Sequence, residues 1–541
     1  MTDNKDPMVP DGRVNPIDTD YQVGQDNILI NLGPFGLDIH NKVFAISALM
    51  VIAFVTLTLF FQEQAEPMFN GVKGWLTTNL DWFFISAANV FVLICLALVV
   101  SPLGRVRLGG TEATPDYSYL GWFSMLFAAG MGIGLMFYGV SEPLTHFTTS
   151  FAGTAGESSM RSDWAPLSGA AGNAESAERL AMAATIYHWA LHPWAIYAVM
   201  ALGLALFSFN KGLPLTIRSV FYPILGERVW GWPGHIIDIL AVLATLFGLA
   251  TSLGLGASQA AAGLHHLFGI ALGETTQILL VIGITSLALI SVVRGLDGGI
   301  KKLSELNMVL ALLLLFFVLI VGPTLAIATG FFENIVAYFR YLPELANPVG
   351  REDSNFASGW TAFYWAWWIS WSPFVGMFIA RVSRGRTVRE FIISVLLIPS
   401  VACVFWMTVF GGTAIKQVVV DGFQKVVETD LPLQLFTMLE ALPLSSITSF
   451  IAIVLVIVFF VTSSDSGSLV IDVISAGGKV ESPTPQRVFW CVFEGLVAVS
   501  LIVGGGLVAL QAMAISTGLP FTLVLLVAAF STVKGLMSEP R

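Results

Sequence analysis

The sequence predicts an all-α polytopic membrane protein, and three observations carry that prediction. Hydrophobic residues make up 55% of the 541 residues and charged residues only 11%, whereas a soluble domain carries about 25% charged. Forty Phe and fifteen Trp, with a mean hydropathy of +0.79, call for an apolar solvent around the chain as well as a core. The apolar residues also fall in long runs, each near the roughly 20 residues that a helix needs to cross a bilayer. A transmembrane barrel would show short segments of alternating polarity, and disorder, coiled coil, collagen and a disulfide scaffold are excluded by the same composition.

Residues 1–42 are polar and acidic and read as a loose N-terminal tail. No charged stretch leads into a short apolar run there, so no cleavable signal peptide is expected. About twelve spans follow, at 43–61, 82–100, 117–141, 180–209, 236–268, 275–293, 307–332, 354–380, 391–415, 441–470, 488–503 and 508–533. Helical periodicity is weak in them because both faces are apolar. Fourteen Lys and Arg, from Arg105 to Arg487, lie in alternate loops, against seven in the opposite loops. The excess marks the cytoplasmic side, which places both termini inside. The outer loop at 142–179 is rich in Gly, Ser and Ala and reads as an exposed insertion, and 334–346 reads as a short interfacial helix.

A net charge of −10 leaves no electrostatic footprint for nucleic acid. Cys95, Cys403 and Cys491 sit inside apolar runs and form neither a metal spacing nor a disulfide framework.

Three constellations stand out. In AAGMGIGLMFYG at 128–139, Gly130, Gly132, Gly134 and Gly139 interrupt the third span. Close helix packing is one reading. An unwound segment is the sharper one, because freed backbone groups survive at membrane depth only where they line a cavity or bind something. In WTAFYWAWWISWSPF at 360–374, five tryptophans (Trp360, Trp365, Trp367, Trp368 and Trp371) fall within twelve residues. An interfacial belt explains Trp360 but not four more continuing inward. Trp189, Trp194 and Tyr197 in the fourth span supply a matching set. Electron-rich rings with no acidic residue near them suit a quaternary ammonium head. In FFVTSSDSGS at 459–468, Thr462 and Ser463 offer two hard oxygen donors suited to Na⁺, although membrane hydroxyls commonly bond to their own helix. Asp465 reads as a solvated or capping residue, Glu494 as a packing residue without a visible partner, and His188 and His192 as structural. No His, Cys and carboxylate set converges inside the bundle, which argues against an enzyme.

Together, the glycine stretch, the TIYHW…PWAIY segment and YWAWWISWSPFVGMFIARVSRGR closely resemble the betaine/choline/carnitine transporter family, over nearly all of the chain from about residue 43. The resemblance implies a LeuT-type architecture: two peripheral helices within 43–116, inverted repeats of five spans at 117–332 and 354–533, an outer interfacial segment at 333–353 and a short tail at 534–541. It also implies a bacterial inner-membrane homotrimer that imports a small zwitterion with Na⁺ as coupling ion and no organic cofactor. Position by position, Trp189, Trp194, Tyr197 and Trp368 are similar to the family's aromatic box for a trimethylammonium head, with Trp365 in the same segment and Trp371 at an inner contact. Backbone amides of Gly130, Met131 and Gly132 would face the carboxylate. The family's sodium site maps to the carbonyls of Ala128, Met131 and Phe459 with the hydroxyls of Thr462 and Ser463. Thr245 and Phe374 resemble ligands of a second sodium, but Leu249 stands where a second threonine is expected. Gly134 replaces the aspartate typical of choline carriers, which favours a zwitterion such as glycine betaine or dimethylsulfoniopropionate. No Lys or Arg occurs at 239–264, unlike sodium-independent carnitine exchangers, and the tail KGLMSEPR is far shorter than those of osmotically regulated relatives.

Overall fold

A computed structural model describes residues 10–32, 35–152, 166–168, 170–294, 300–351 and 353–541. Eighteen α-helices form the body: α1 (Val43–Phe60), α2 (Gln62–Val100), α3 (Tyr119–Gly130), α4 (Ile133–Ala152), α5 (Ala174–Trp189), α6 (Leu191–Ala205), the short α7 (Tyr222–Leu225), α8 (Trp232–Phe268), α9 (Glu274–Arg294), α10 (Ile300–Val321), α11 (Thr324–Leu345), α12 (Ala362–Val382), α13 (Val388–Val419), the short α14 (Lys425–Glu428) and α15 (Gln434–Glu440), α16 (Ser445–Ser475), α17 (Thr484–Val503) and α18 (Gly506–Met537). Ten spans are long and apolar enough to cross a membrane, α5 and α6 running on as one, and an eleventh is the bent pair α3 and α4. The four tryptophans and Tyr364 of α12 lower its hydropathy, so the segment richest in aromatics is not among those eleven, although it packs in the centre of the bundle.

Side-chain caps start three of the helices that matter. Ser118 accepts from the Gly121 amide ahead of α3, Asn173 from Ser176 ahead of α5, and Thr387 with Glu390 forms a reciprocal capping box ahead of α13. Burial then sorts the spans. The apolar stretch of α5–α6 is 94% buried and that of α8 83%, against 28% for α10 and 33% for α1 and α9. The well-buried helices form the centre, and α12 packs against α6, α8 and α18.

Four expectations differ from the structure. The span at 307–332 is divided at Gly322–Pro323 between α10 and α11, because Pro323 has no N–H to continue the helix. The interfacial segment at 334–346 is therefore the second half of a 22-residue helix, α11. The loop at 142–179 is helical at both ends: α4 continues to Ala152 and α5 begins at Ala174, and residues 153–165 lie outside the described residues. The N-terminal tail is not loose over its described part. Strands β1 (Asn27–Leu32) and β2 (Phe35–His40) pair antiparallel, with Asn27 opposite His40.

That hairpin and the residues before it strap one face of the bundle. Asp11 pairs with Arg384 at 2.6 Å, and Lys211 donates to the Asn15 carbonyl at 2.7 Å. Tyr21 stacks on Trp230 with centroids 4.1 Å apart, Asn27 donates to Ala476 at 2.8 Å, and Asp38 pairs with Lys479 at 2.5 Å. His40 is fully buried. Its Nδ1 accepts from the Lys42 and Val43 amides, while Nε2 faces the Arg218 guanidinium at 3.3 Å. Burial first, then Arg218, holds the imidazole neutral and pushes its pKa down to about 3.

Candidate functional site

The site begins where α3 stops. Met131 takes an extended conformation, φ −91° and ψ 129°, and the chain turns through 62° before α4 resumes at Ile133. Glycines on both sides make the turn possible at close quarters. A Cβ on Gly130 would lie 3.3 Å from both Pro399 and the Trp194 ring. Gly132 has open space around it, so the break presents bare backbone to a cavity.

That cavity has a volume of about 70 Å³ and is lined by the break from Ala129 to Leu135, by Trp189, Tyr197, Trp367, Trp368, Trp371, Ser252 and Val375, and by Ser463. The other rings converge on Trp368. Trp189 meets it edge to face at 5.2 Å, Tyr197 at 5.4 Å, and Trp194 lies behind at 6.4 Å, in contact with Tyr197 at 5.4 Å. The indole N–H groups of Trp368 and Trp371 are buried without a hydrogen-bond partner. Buried donors normally find partners, so the two form an unspent polar set beside bare backbone and ring faces.

The structure thus brings Gly130, Met131, Gly132, Trp189, Tyr197, Trp368, Trp371 and Ser463 to one cavity. Trp365 points elsewhere, stacking on His192 at 5.4 Å and meeting Tyr187 at 5.0 Å. Ala128 is one residue outside the lining, and its carbonyl accepts from the Met131 amide at 3.2 Å. Thr462, next to Ser463 on α16, donates to its own helix at Val458 and Phe459 and accepts from Asn307 of α10 at 3.1 Å. Thr245 donates to Ala241 at 2.7 Å and Phe374 packs on Trp371, while Leu249 fills space against Gly467.

Sequence reasoning missed the charged part of this site: contrary to expectation, an acidic residue lies against the rings. Glu142 on α4 is 0% exposed. His188 Nδ1 lies 2.6 Å from its Oε1 and His146 Nε2 3.3 Å from the same oxygen. Trp189 donates its indole N–H to Oε2 at 2.7 Å, and Tyr364 donates its hydroxyl there too. A His and carboxylate set therefore does converge inside the bundle. Reading 142–179 as an outer loop hid it; the signal was the i, i+4 pair Glu142 and His146. Trp367, another omission, donates to Ser252 at 3.1 Å.

Two further readings change. Asp465 is 1% exposed rather than solvated, and Glu494 has a partner, the Ser464 hydroxyl at 3.2 Å.

A helical membrane protein with a broken span opening on an aromatic cavity belongs to the class of secondary transporters. The chain is a member of the BCCT, or betaine/carnitine/choline, family of transporters, whose family model matches residues 42–541. It is similar to a glycine betaine/proline/choline transporter of Vibrio parahaemolyticus, 68% identical over 98% of this chain and 96% of that protein. It is also similar to glycine betaine transporter 1 of the same organism, 54% identical over 96% of this chain and 97% of that one. A glycine betaine transporter of Acinetobacter baylyi is 39% identical over 92% of this chain and 74% of its own length. The protein is thus a transporter and not an enzyme.

Proposed function

We propose that the protein is a Na⁺-coupled symporter that imports glycine betaine by alternating access. The observation that carries this reading is the single cavity formed by the α3–α4 break and the rings of Trp189, Tyr197 and Trp368. The trimethylammonium head sits among the rings, where each cation–π contact is worth about 0.5–2 kcal/mol. Its carboxylate meets the amides at Gly130, Met131 and Gly132, with the free indole N–H groups of Trp368 and Trp371 within the same space. Dimethylsulfoniopropionate, with a compact methylated cation and a carboxylate, fits the same description. Sodium is held by Ala128, Met131, Phe459, Thr462 and Ser463; the support is that Ser463 lines the cavity beside the break. Thr245 and Phe374 are the positions for a second ion, where Leu249 leaves the set one hydroxyl short. The protein works as a homotrimer in a bacterial inner membrane, with both termini cytoplasmic.

Choline is a second substrate that one observation favours. The Glu142 carboxylate, bonded to a ring of the box, supplies the anion that a cation without its own carboxylate lacks, and a 68% identical relative is named for choline and proline as well as glycine betaine.

The test uses purified protein in liposomes, with labelled glycine betaine and an inward Na⁺ gradient or K⁺ in its place. Accumulation with sodium alone is expected. Uptake indifferent to sodium would remove the ion assignment, and no uptake of either glycine betaine or choline would remove the substrate reading.

A further inference from the structure

Glycine betaine, which brings its own carboxylate, leaves Glu142 without a task, yet this buried acid is fully partnered. Both carboxylate oxygens are engaged, Oε1 with two imidazole nitrogens and Oε2 with an indole N–H and a phenol. A glutamine could still accept from the Trp189 indole through its amide oxygen, with its NH₂ toward the imidazoles, whose nitrogens accept in one tautomer, so that substitution removes the charge and can leave the anchor in place. We propose that Glu142 is a positioning residue that also sets the charge preference of the aromatic box, holding Trp189 by its indole N–H and favouring a cationic over a neutral head group. This deepens the substrate reading above and rests on it.

The geometry pins the Trp189 ring at both ends. Its N–H is held by Glu142 at 2.7 Å, and its far edge leaves no room at Gly134, where a Cβ would stand 2.8 Å away. In that orientation the ring meets Trp368 edge to face. Donating to an anion leaves the indole richer in electrons, which strengthens the attraction of its face for a cation. The carboxylate charge adds a direct term, because no water screens it at 0% exposure. The three groups Glu142, His146 and His188 also bring ligand atoms within 4.8 Å of one another. A metal reading is weaker, since both imidazoles address one oxygen and the other is already taken by Trp189 and Tyr364.

The test compares glycine betaine with 3,3-dimethylbutanoate, in which carbon replaces the charged nitrogen at the same shape. Binding of each to the purified full chain is read by displacement of labelled glycine betaine. Glu142→Gln is expected to weaken glycine betaine about tenfold and leave the neutral analogue nearly unchanged, with Glu142→Asp keeping most of the preference. Equal losses for both compounds would reduce Glu142 to a structural residue and overturn the proposal, as would no loss for either. If Glu142→Gln does not fold, Trp189→Phe and Trp368→Phe decide the matter. Each removes the same indole, but only Trp189 donates to Glu142, so its variant should lose more of the charge preference; equal losses again overturn the proposal. Failure of the wild-type chain to bind glycine betaine at all would instead count against the substrate reading.

Discussion

Glu142 and Glu494 are both 0% exposed carboxylates on membrane helices, and their surroundings could hardly differ more. Glu142 is surrounded by four polar groups from α4, α5 and α12. Glu494 has the Ser464 hydroxyl on one oxygen, and its Oε1 has no hydrogen-bond partner. An ionised carboxylate is costly to bury unless donors replace its water. The fold has been organised around a charge at the first position and has merely tolerated an acid at the second. Burial alone therefore does not identify a working group; the donor set does.

The largest effect is expected at the box that Glu142 supports: Trp368→Leu removes the central ring and should lower uptake by about a hundredfold or more, with normal amounts of protein in the membrane. Near-normal uptake in that variant would detach the aromatic cluster from function, and with it the significance of Glu142. Next comes Gly134→Asp. A Cβ there would meet Trp189 at 2.8 Å and Trp367 at 2.9 Å, so the side chain displaces the rings and transport of both betaine and choline should fall about tenfold or more. A clean switch to choline, which the family pattern alone suggests, would show that the rings can move aside.

Smaller effects are expected away from the rings. Replacing Ser463 and Thr462 together by Ala should raise the sodium concentration for half-maximal uptake about tenfold. Ser463 should carry the larger share, because Thr462 is already engaged with its own helix and Asn307. Glu494→Gln should change uptake by less than about twofold, and a loss as large as that of Glu142→Gln would defeat the contrast drawn above.

The strap is sensitive to pH through His40. His40 binds a proton more readily once the hairpin is undocked, since its docked pKa is about 3 against an ordinary 6.5. Docking stability is thus full above about pH 6.5 and falls as the pH drops toward 3. Protection factors of the β1 and β2 amides, corrected for the intrinsic exchange rate at each pH, should fall over that window while those of the bundle core stay unchanged; pH-independent protection of the hairpin would refute the assignment.

Much of this protein was legible in its sequence, and for a definite reason. Span positions follow from runs of apolar residues, because solvation by lipid acts on each residue where it stands. The break at Gly130–Gly132 and the ring-bearing faces were visible for the same kind of reason: backbone freedom and aromatic character are local properties. What the sequence could not display are relations between distant segments. Trp365 and Trp368 are neighbours in an identical-looking run, and only packing sends one to His192 and the other to the cavity. Glu142, in a stretch that ends in polar residues, looked like part of a loop until α5 and α12 brought His188, Trp189 and Tyr364 around it. The acidic tail looked free until Lys479 and Arg218 were placed beside it. Charge preference at the box belongs to this second kind, because the field of a buried carboxylate depends on which groups surround it, and the fold alone chooses them.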